Sequence, residues 1–228
     1  MGTIQAFLDN MNWMELLVLI MGAAASLICL TIHELCHGYT AYRLGDPTAK
    51  VNGRLTLNPI AHLDWIGLFL MLAARVGWAK PVPVDMRNFK NPKRDMAITA
   101  LAGPISNLLL SFAALLICSA VYHFAPDHIM FAYVMLFFSY LAVLSVGLGL
   151  FNMIPIPPLD GSKVLFSLLP DRLYRTILRY ERYVVLIVVL LAWSGVFSTP
   201  ISMVMEKTIK LLCRLSGFPF EIPQYYFF

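Results

Sequence analysis

WMELLVLIMGAAASLICLTIHELCHGYTAYRL, residues 13–44, is the stretch that decides the fold. Between Glu15 and Glu34 it runs for 18 residues without an Asp, Glu, Lys or Arg. A helix of about 20 apolar residues crosses a hydrocarbon core about 30 Å thick, so this stretch has the length of a membrane span. Asn12 ahead of it is an N-cap residue type, and Gly45-Asp46-Pro47 behind it combines a helix-ending glycine with a following proline. One helix is therefore predicted over 13–44, long enough to project beyond the bilayer. The first thirteen residues lack the basic n-region of a signal peptide, and the span carries ionisable residues, so it is expected to stay as the first membrane helix.

The rest of the chain repeats the pattern. Charge-free stretches also occupy 96–126, 128–159 and 183–205, with 31, 32 and 23 residues. Hydrophobic residues make up 59% of the 228, and only 13% are Asp, Glu, Lys or Arg, against roughly a quarter charged in an ordinary soluble domain. A soluble globule is excluded. The net charge of +4 does not indicate nucleic acid, because the Lys and Arg residues sit between apolar segments rather than on one soluble face. Cys29, Cys36, Cys118 and Cys213 show no paired spacing and read as free thiols.

Between the spans, 46–60 alternates Val51, Leu55 and Leu57 with polar neighbours, which predicts a β-hairpin. Residues 62–76 are apolar but too short for a confident span, and 77–95, with three prolines, read as a loop whose Pro81-Val82-Pro83-Val84 core lies along another backbone. Long helices are predicted over 96–122 and 129–153, the second broken by Pro155, Pro157 and Pro158. Nine of the 17 Lys and Arg residues fall between Arg43 and Arg94 and five between Lys163 and Arg182. The positive-inside rule places both blocks in the cytoplasm, so the first helix runs inward, 96–122 outward and 129–153 inward again. Residues 62–76 then dip into the membrane or lie along its surface. The tail offers two arrangements, a shallow hairpin over 183–205 or an amphipathic helix over 201–215 at the outer surface. The fold class is an all-α polytopic membrane protein with about four to six membrane helices and a short membrane-associated β-hairpin or sheet after the first helix. Residues 1–170 form its core, and 171–228 a C-terminal membrane helix and tail.

Within the first span lies His33-Glu34-Leu35-Cys36-His37, an H-E-x-x-H pattern. Helix positions i and i+4 lie about 40° apart around the axis, so both imidazoles project to one side and can share a metal, with Glu34 beside them as a base for a bound water. Two histidines and a glutamate satisfying one another in a helix bundle is the bland alternative. Burying an ionisable residue in a membrane helix costs at least about 2.5 kcal/mol, and three within five positions call for a function. Candidates for a third ligand are Asp160, His62, Asp64, Glu181, His123 and His128. His123 and His128 lie at the outer turn, about a membrane core away from His33 and His37. Asp160 follows the proline-broken helix at the depth of the histidines and is the best placed, with a helix N-cap as the equal alternative. His62 and Asp64 are either partners that orient a ligand or interfacial polar groups. Ala102-Gly103-Pro104 with Asn107 reads as close helix packing, and Asn152 as either a helix C-cap or an amide donor beside the site.

The motifs together resemble the site-2 protease family of intramembrane zinc metalloproteases, in particular its compact prokaryotic members. The resemblance rests on His33-Glu34-x-x-His37, the loop from Gly77 to Val84, Ala102-Gly103-Pro104-x-x-Asn107, and Asn152-x-x-Pro155-x-Pro157-x-x-Asp160-Gly161. It implies that His33, His37 and Asp160 hold one Zn2+ per chain, that Glu34 activates the water, and that Asn152 positions substrate or stabilises the oxyanion. It also implies a membrane-embedded strand element, consistent with 50–58. The expected function is hydrolysis of peptide bonds within or near transmembrane segments of membrane proteins, with a transmembrane protein as substrate, the lipid bilayer as surroundings, no nucleic acid partner, and a multi-pass location in a prokaryotic cell membrane. Two rival readings are a catalytically silent membrane adaptor on the same fold, against which the intact Glu34 argues, and a metal transporter or channel using the same histidines. The latter needs polar residues continuing across the membrane, and 96–122 and 129–153 offer few.

Overall fold

The computed structural model describes residues 12–64, 80–170 and 198–221, with isolated positions between 173 and 196 and at 223. Three helices in it are long and apolar enough to cross a membrane: α1 (Trp13–Arg43), α3 (Pro92–Phe124) and α4 (Ile129–Asn152). Between α1 and α3 the described residues include one α-helical turn, α2 (Thr48–Val51), and two 3-10 turns, Pro59–His62 and Met86–Asn88. After α4 come a short helix, α5 (Asp160–Ser167), and α6 (Ser198–Ser216). The chain is a multi-pass membrane protein, and its described residues are mainly helical.

Local chemistry sets the ends of these helices. The Asn12 side chain accepts from the Met14 and Glu15 amides at the start of α1, and at its end Gly45 takes φ +111, where a side chain would be strained. His128 Nδ1 accepts from the Met130 amide and caps α4. Asn152 is the last residue of α4, and irregular backbone through Pro155, Pro157 and Pro158 leads to α5.

The helices α1, α3 and α4 meet along small residues. Ala25 and Cys29 of α1, Ala114, Leu115 and Cys118 of α3, and Leu141, Ala142, Val143 and Val146 of α4 share one core with Ile209 and Cys213 of α6. Small side chains let helices approach closely where lipid tails supply no hydrophobic drive. Gly149 shows the limit, since a Cβ there would lie 3.2 Å from the Pro104 carbonyl oxygen. Large apolar side chains such as Leu19, Ile20, Leu109, Leu116 and Ile129 face outward, as a bilayer favours. His37 late in α1 meets Thr99 early in α3, while Ala25, twelve residues nearer the start of α1, shares a core with Leu115 and Cys118 late in α3, so the two helices are antiparallel.

The predicted hairpin over 46–60 does not form, and among the described residues there is no β-strand. Thr48–Val51 is a helical turn, ended by Gly53 at φ +65, and Pro59–His62 is a 3-10 turn. Turn chemistry prevails over a weak alternation. The Asp46 carboxylate accepts from the Thr48 amide and hydroxyl as the chain enters the turn, and Val51 and Leu57 stay exposed while Leu55 packs at Gly38. Residues 65–79, which include most of the short apolar piece, lie outside the described residues.

Of the two arrangements for the tail, the amphipathic helix over 201–215 is present as α6, and most of the hairpin segment 183–205 lies outside the described residues. Met205 lies beside Gly147 of α4, and Gly217 beside Ser119 and His123 of α3. The helix is thus packed lengthwise against α4 and α3, with Ile209 and Cys213 buried and Lys207, Lys210 and Arg214 exposed.

Candidate metal centre

His33 and His37 sit one turn apart on α1, both buried, as the i, i+4 spacing requires. Their Nε2 atoms are 3.0 Å apart, and Asp160 Oδ2 lies 3.1 Å from His33 Nε2 and 3.0 Å from His37 Nε2. Asp160 is delivered by the turn after α4. It is the first residue of α5, the N-cap is Leu159, and no side chain caps that helix, so its carboxylate faces the imidazoles rather than its own backbone. Gly161 permits this reversal, because a Cβ at 161 would lie 2.2 Å from the Met153 carbonyl oxygen.

Three ligand atoms from two elements therefore converge in a buried place. Their spacing is close to the roughly 3.3 Å edge of a tetrahedron whose metal–ligand arms are about 2.0–2.1 Å, so the donor set fits zinc. Burial pushes the Asp160 carboxyl up, but the hydrogen bonds from His33 and His37 and the nearby Lys163 outweigh it and hold it well below the usual carboxylate range. Lys163 Nζ reaches the other carboxylate oxygen, Oδ1, at 3.2 Å. His37 is oriented from behind, its Nδ1 lying 2.7 Å from the Thr99 carbonyl oxygen of α3. Such a partner fixes the tautomer and ring angle of a ligating histidine.

Glu34 sits beside the group, half-buried. Its Oε2 accepts from the Val82 amide at 2.8 Å. Lys80–Val84 is neither helix nor strand, and its prolines leave few donors. Pro81 and Pro83 carry no N–H, and the Lys80 amide is spent on the His62 carbonyl oxygen. Arg54 donates to the Lys80 carbonyl oxygen at 2.6 Å and pins the start of this segment.

Of the other candidates, His62 is buried and its Nε2 lies 2.9 Å from the Thr56 carbonyl oxygen, bracing its own turn. His123 and His128 are at the α3–α4 turn, roughly 30 Å along α3 from the level of Gly103. Glu181 lies outside the described residues. Asn152 is not among the converging ligands, and its amide donates back to the Leu148 carbonyl oxygen at 3.0 Å. Gly103, read from the sequence as a packing residue, lies directly against the site, where a Cβ would be 2.4 Å from His37 Nε2 and 2.6 Å from His33 Cε1. The i, i+4 repeat of Thr99, Gly103 and Asn107 was the available signal for it. Val82 was legible as the one amide between two prolines.

Residues 119–195 match the family described as Peptidase family M50. The chain is 41% identical over 159 residues to "Putative zinc metalloprotease YwhC" of Bacillus subtilis, covering 69% of this chain and 73% of that protein. The chain belongs to peptidase family M50. As a member of this, the site-2 protease family, it is a zinc-dependent intramembrane metallopeptidase. A second relative is "Putative zinc metalloprotease Rip2" of Mycolicibacterium smegmatis, 33% identical over 178 residues, 76% of this chain and 67% of that one. The protein of the same name from Mycobacterium tuberculosis is 34% identical over 149 residues, 63% of this chain and 55% of its own length. No solved structure matches the chain.

Proposed function

We propose that His33, His37 and Asp160 hold the single zinc ion and that Glu34 is the general base in hydrolysis of a peptide bond within or near a transmembrane segment. The convergence of two imidazoles and a carboxylate within 3.0–3.1 Å, with Glu34 one residue along the same helix, carries this reading. When bound, zinc supplies Lewis acidity toward the scissile carbonyl and lowers the pKa of a water molecule. Glu34 takes the proton of the attacking water and returns it to the leaving amine. Asn152, at the end of α4 just before the turn that carries Asp160, donates one amide N–H to the developing oxyanion while the other holds the Leu148 carbonyl oxygen.

The substrate must unwind before its carbonyl reaches the site, because a membrane helix has its backbone groups already paired. The segment 80–84 borders Glu34 and offers mainly carbonyl acceptors, so it receives N–H groups of the unwound substrate rather than pairing as a full edge strand. His33 and His37 occupy the last third of α1, and with the basic segments inside, cleavage falls toward the cytoplasmic side of a prokaryotic cell membrane. The test is a co-expressed membrane substrate followed by mass spectrometry of its fragments. Fragments that appear with the intact protein and vanish with Glu34→Gln are expected; undiminished cleavage by that variant overturns the assignment of Glu34.

A further inference from the structure

The two histidines are supported unequally. His37 Nδ1 meets the Thr99 carbonyl oxygen, whereas His33 Nδ1 is buried without a hydrogen-bond partner. A ligating imidazole almost always gives its second N–H to an acceptor that fixes its tautomer and angle. One helical ridge of α3 passes this position. Thr99, Gly103, Asn107 and Ser111 recur at i, i+4 and are all buried, facing the buried α1 ridge of Ala41, His37, His33, Cys29 and Ala25. Because the helices are antiparallel and Thr99 meets His37 while Gly103 touches both rings, the next turn outward brings Asn107 to the stretch between His33 and Cys29. Ser145 of α4 confirms the level. It donates to the Asn107 main-chain oxygen at 2.8 Å, and the Leu141 carbonyl oxygen, one turn earlier on α4, accepts from the Cys29 thiol at 3.6 Å, one turn from His33.

Asn107 is fully buried, and neither its amide oxygen nor its amide nitrogen has a partner. The Ser111 hydroxyl, one turn further, is in the same condition. Buried polar atoms are nearly always paired, and those that are not call for an explanation. Packing alone is served better by an apolar residue of the same size. We infer that Asn107 is a positioning residue for the metal site: its amide oxygen accepts the His33 Nδ1–H, directly or across one water molecule, and holds Nε2 toward Asp160. It acts through His33 and touches neither substrate nor reacting atoms. The inference rests on the assignment of His33 as a metal ligand.

The experiment measures zinc affinity of the full chain in detergent by competition with a chromophoric chelator, alongside thermal unfolding of the metal-free protein. Asn107→Ala is expected to weaken zinc binding by about 10- to 100-fold, the range for lost partners of ligating histidines, without lowering the metal-free unfolding temperature. Asn107→Asp keeps the acceptor and the shape and is expected to bind zinc at least as tightly as wild type. Wild-type affinity in Asn107→Ala, or equal losses in the Ala and Asp variants, overturns the inference. Histidine 15N spectra of the zinc-loaded wild type read the same contact without substitution. A hydrogen-bonded Nδ1–H on His33 is expected, and a ring protonated on Nε2 overturns it. Asp160→Ala separates the two readings: if it loses zinc while Asn107→Ala does not, only the positioning role fails, and if it binds zinc as wild type does, the metal site itself fails.

Discussion

The Val82 main-chain N–H donates to Glu34 Oε2 across 2.8 Å, joining a loop and a helix 48 positions apart. Flanked by Pro81 and Pro83, this amide is the donor the loop can aim at the carboxylate. Replacing the amide N–H at Val82 with an ester oxygen is expected to lower kcat by about tenfold, the equivalent of one hydrogen bond to a charged group, whereas Val82→Ala keeps the N–H and most of the activity. Equal kcat values for the ester and the Ala variant would show that the contact does not position Glu34.

Glu34→Gln should separate chemistry from binding. On the proposed assignment the base is lost but the three ligand atoms are untouched, so cleavage is expected to fall by at least about 10²-fold, the lower end of general-base contributions, with zinc stoichiometry unchanged. Fragment analysis and metal content of the same preparation read both quantities.

Gly103 and Gly22 make a contrasting pair on neighbouring helices. A methyl at 103 meets both imidazoles at 2.4–2.6 Å, while one at 22 meets nothing within 4 Å. Gly103→Ala is expected to cost about 1–3 kcal/mol as overpacking and to weaken zinc binding. Gly22→Ala should be neutral or mildly stabilising, as alanine is in a helix. Thermal unfolding and chelator competition in detergent distinguish them.

Asp46 ties two polar connections together, accepting from Thr48, from Asn88 Nδ2 at 2.7 Å and from the Asp85 amide at 2.8 Å. Burial raises its pKa, but these hydrogen bonds prevail and hold it below 3.8. Its contribution to stability is therefore fully present above the unfolded-state pKa and is lost as pH falls through the lower folded-state value. Asp46→Ala should cost roughly 1 kcal/mol near neutrality by leaving three part-buried donors without this acceptor. The gap between variant and wild-type unfolding temperatures should close on acidification below pH 3.8. A gap that stays constant into acid would refute the role of the ionised carboxylate.

Much of this was legible along the chain. Scarce charge located three membrane helices, because a bilayer admits few ions in its core. Asn12 and Gly45 marked the ends of α1, and the i, i+4 spacing placed His33 and His37 on one face. These are local properties, set within a few residues by backbone geometry and solvation. The segment 46–60 was misread for the same reason, since three alternating apolar residues are a weak signal beside the hydrogen bonds of Asp46 and the glycine at 53.

What the sequence by itself determined is thus the class of protein, the helix that carries the two histidines, and the choice of Asp160 as the best third candidate. Only the tertiary structure decided whether Asp160 caps its own helix or faces the imidazoles 123 and 127 positions away. That depends on Gly161 letting the chain fold back against Met153, and on Gly103 leaving room for both rings. A missing side chain has no local signature; its effect is seen only when two elements close on the space it leaves.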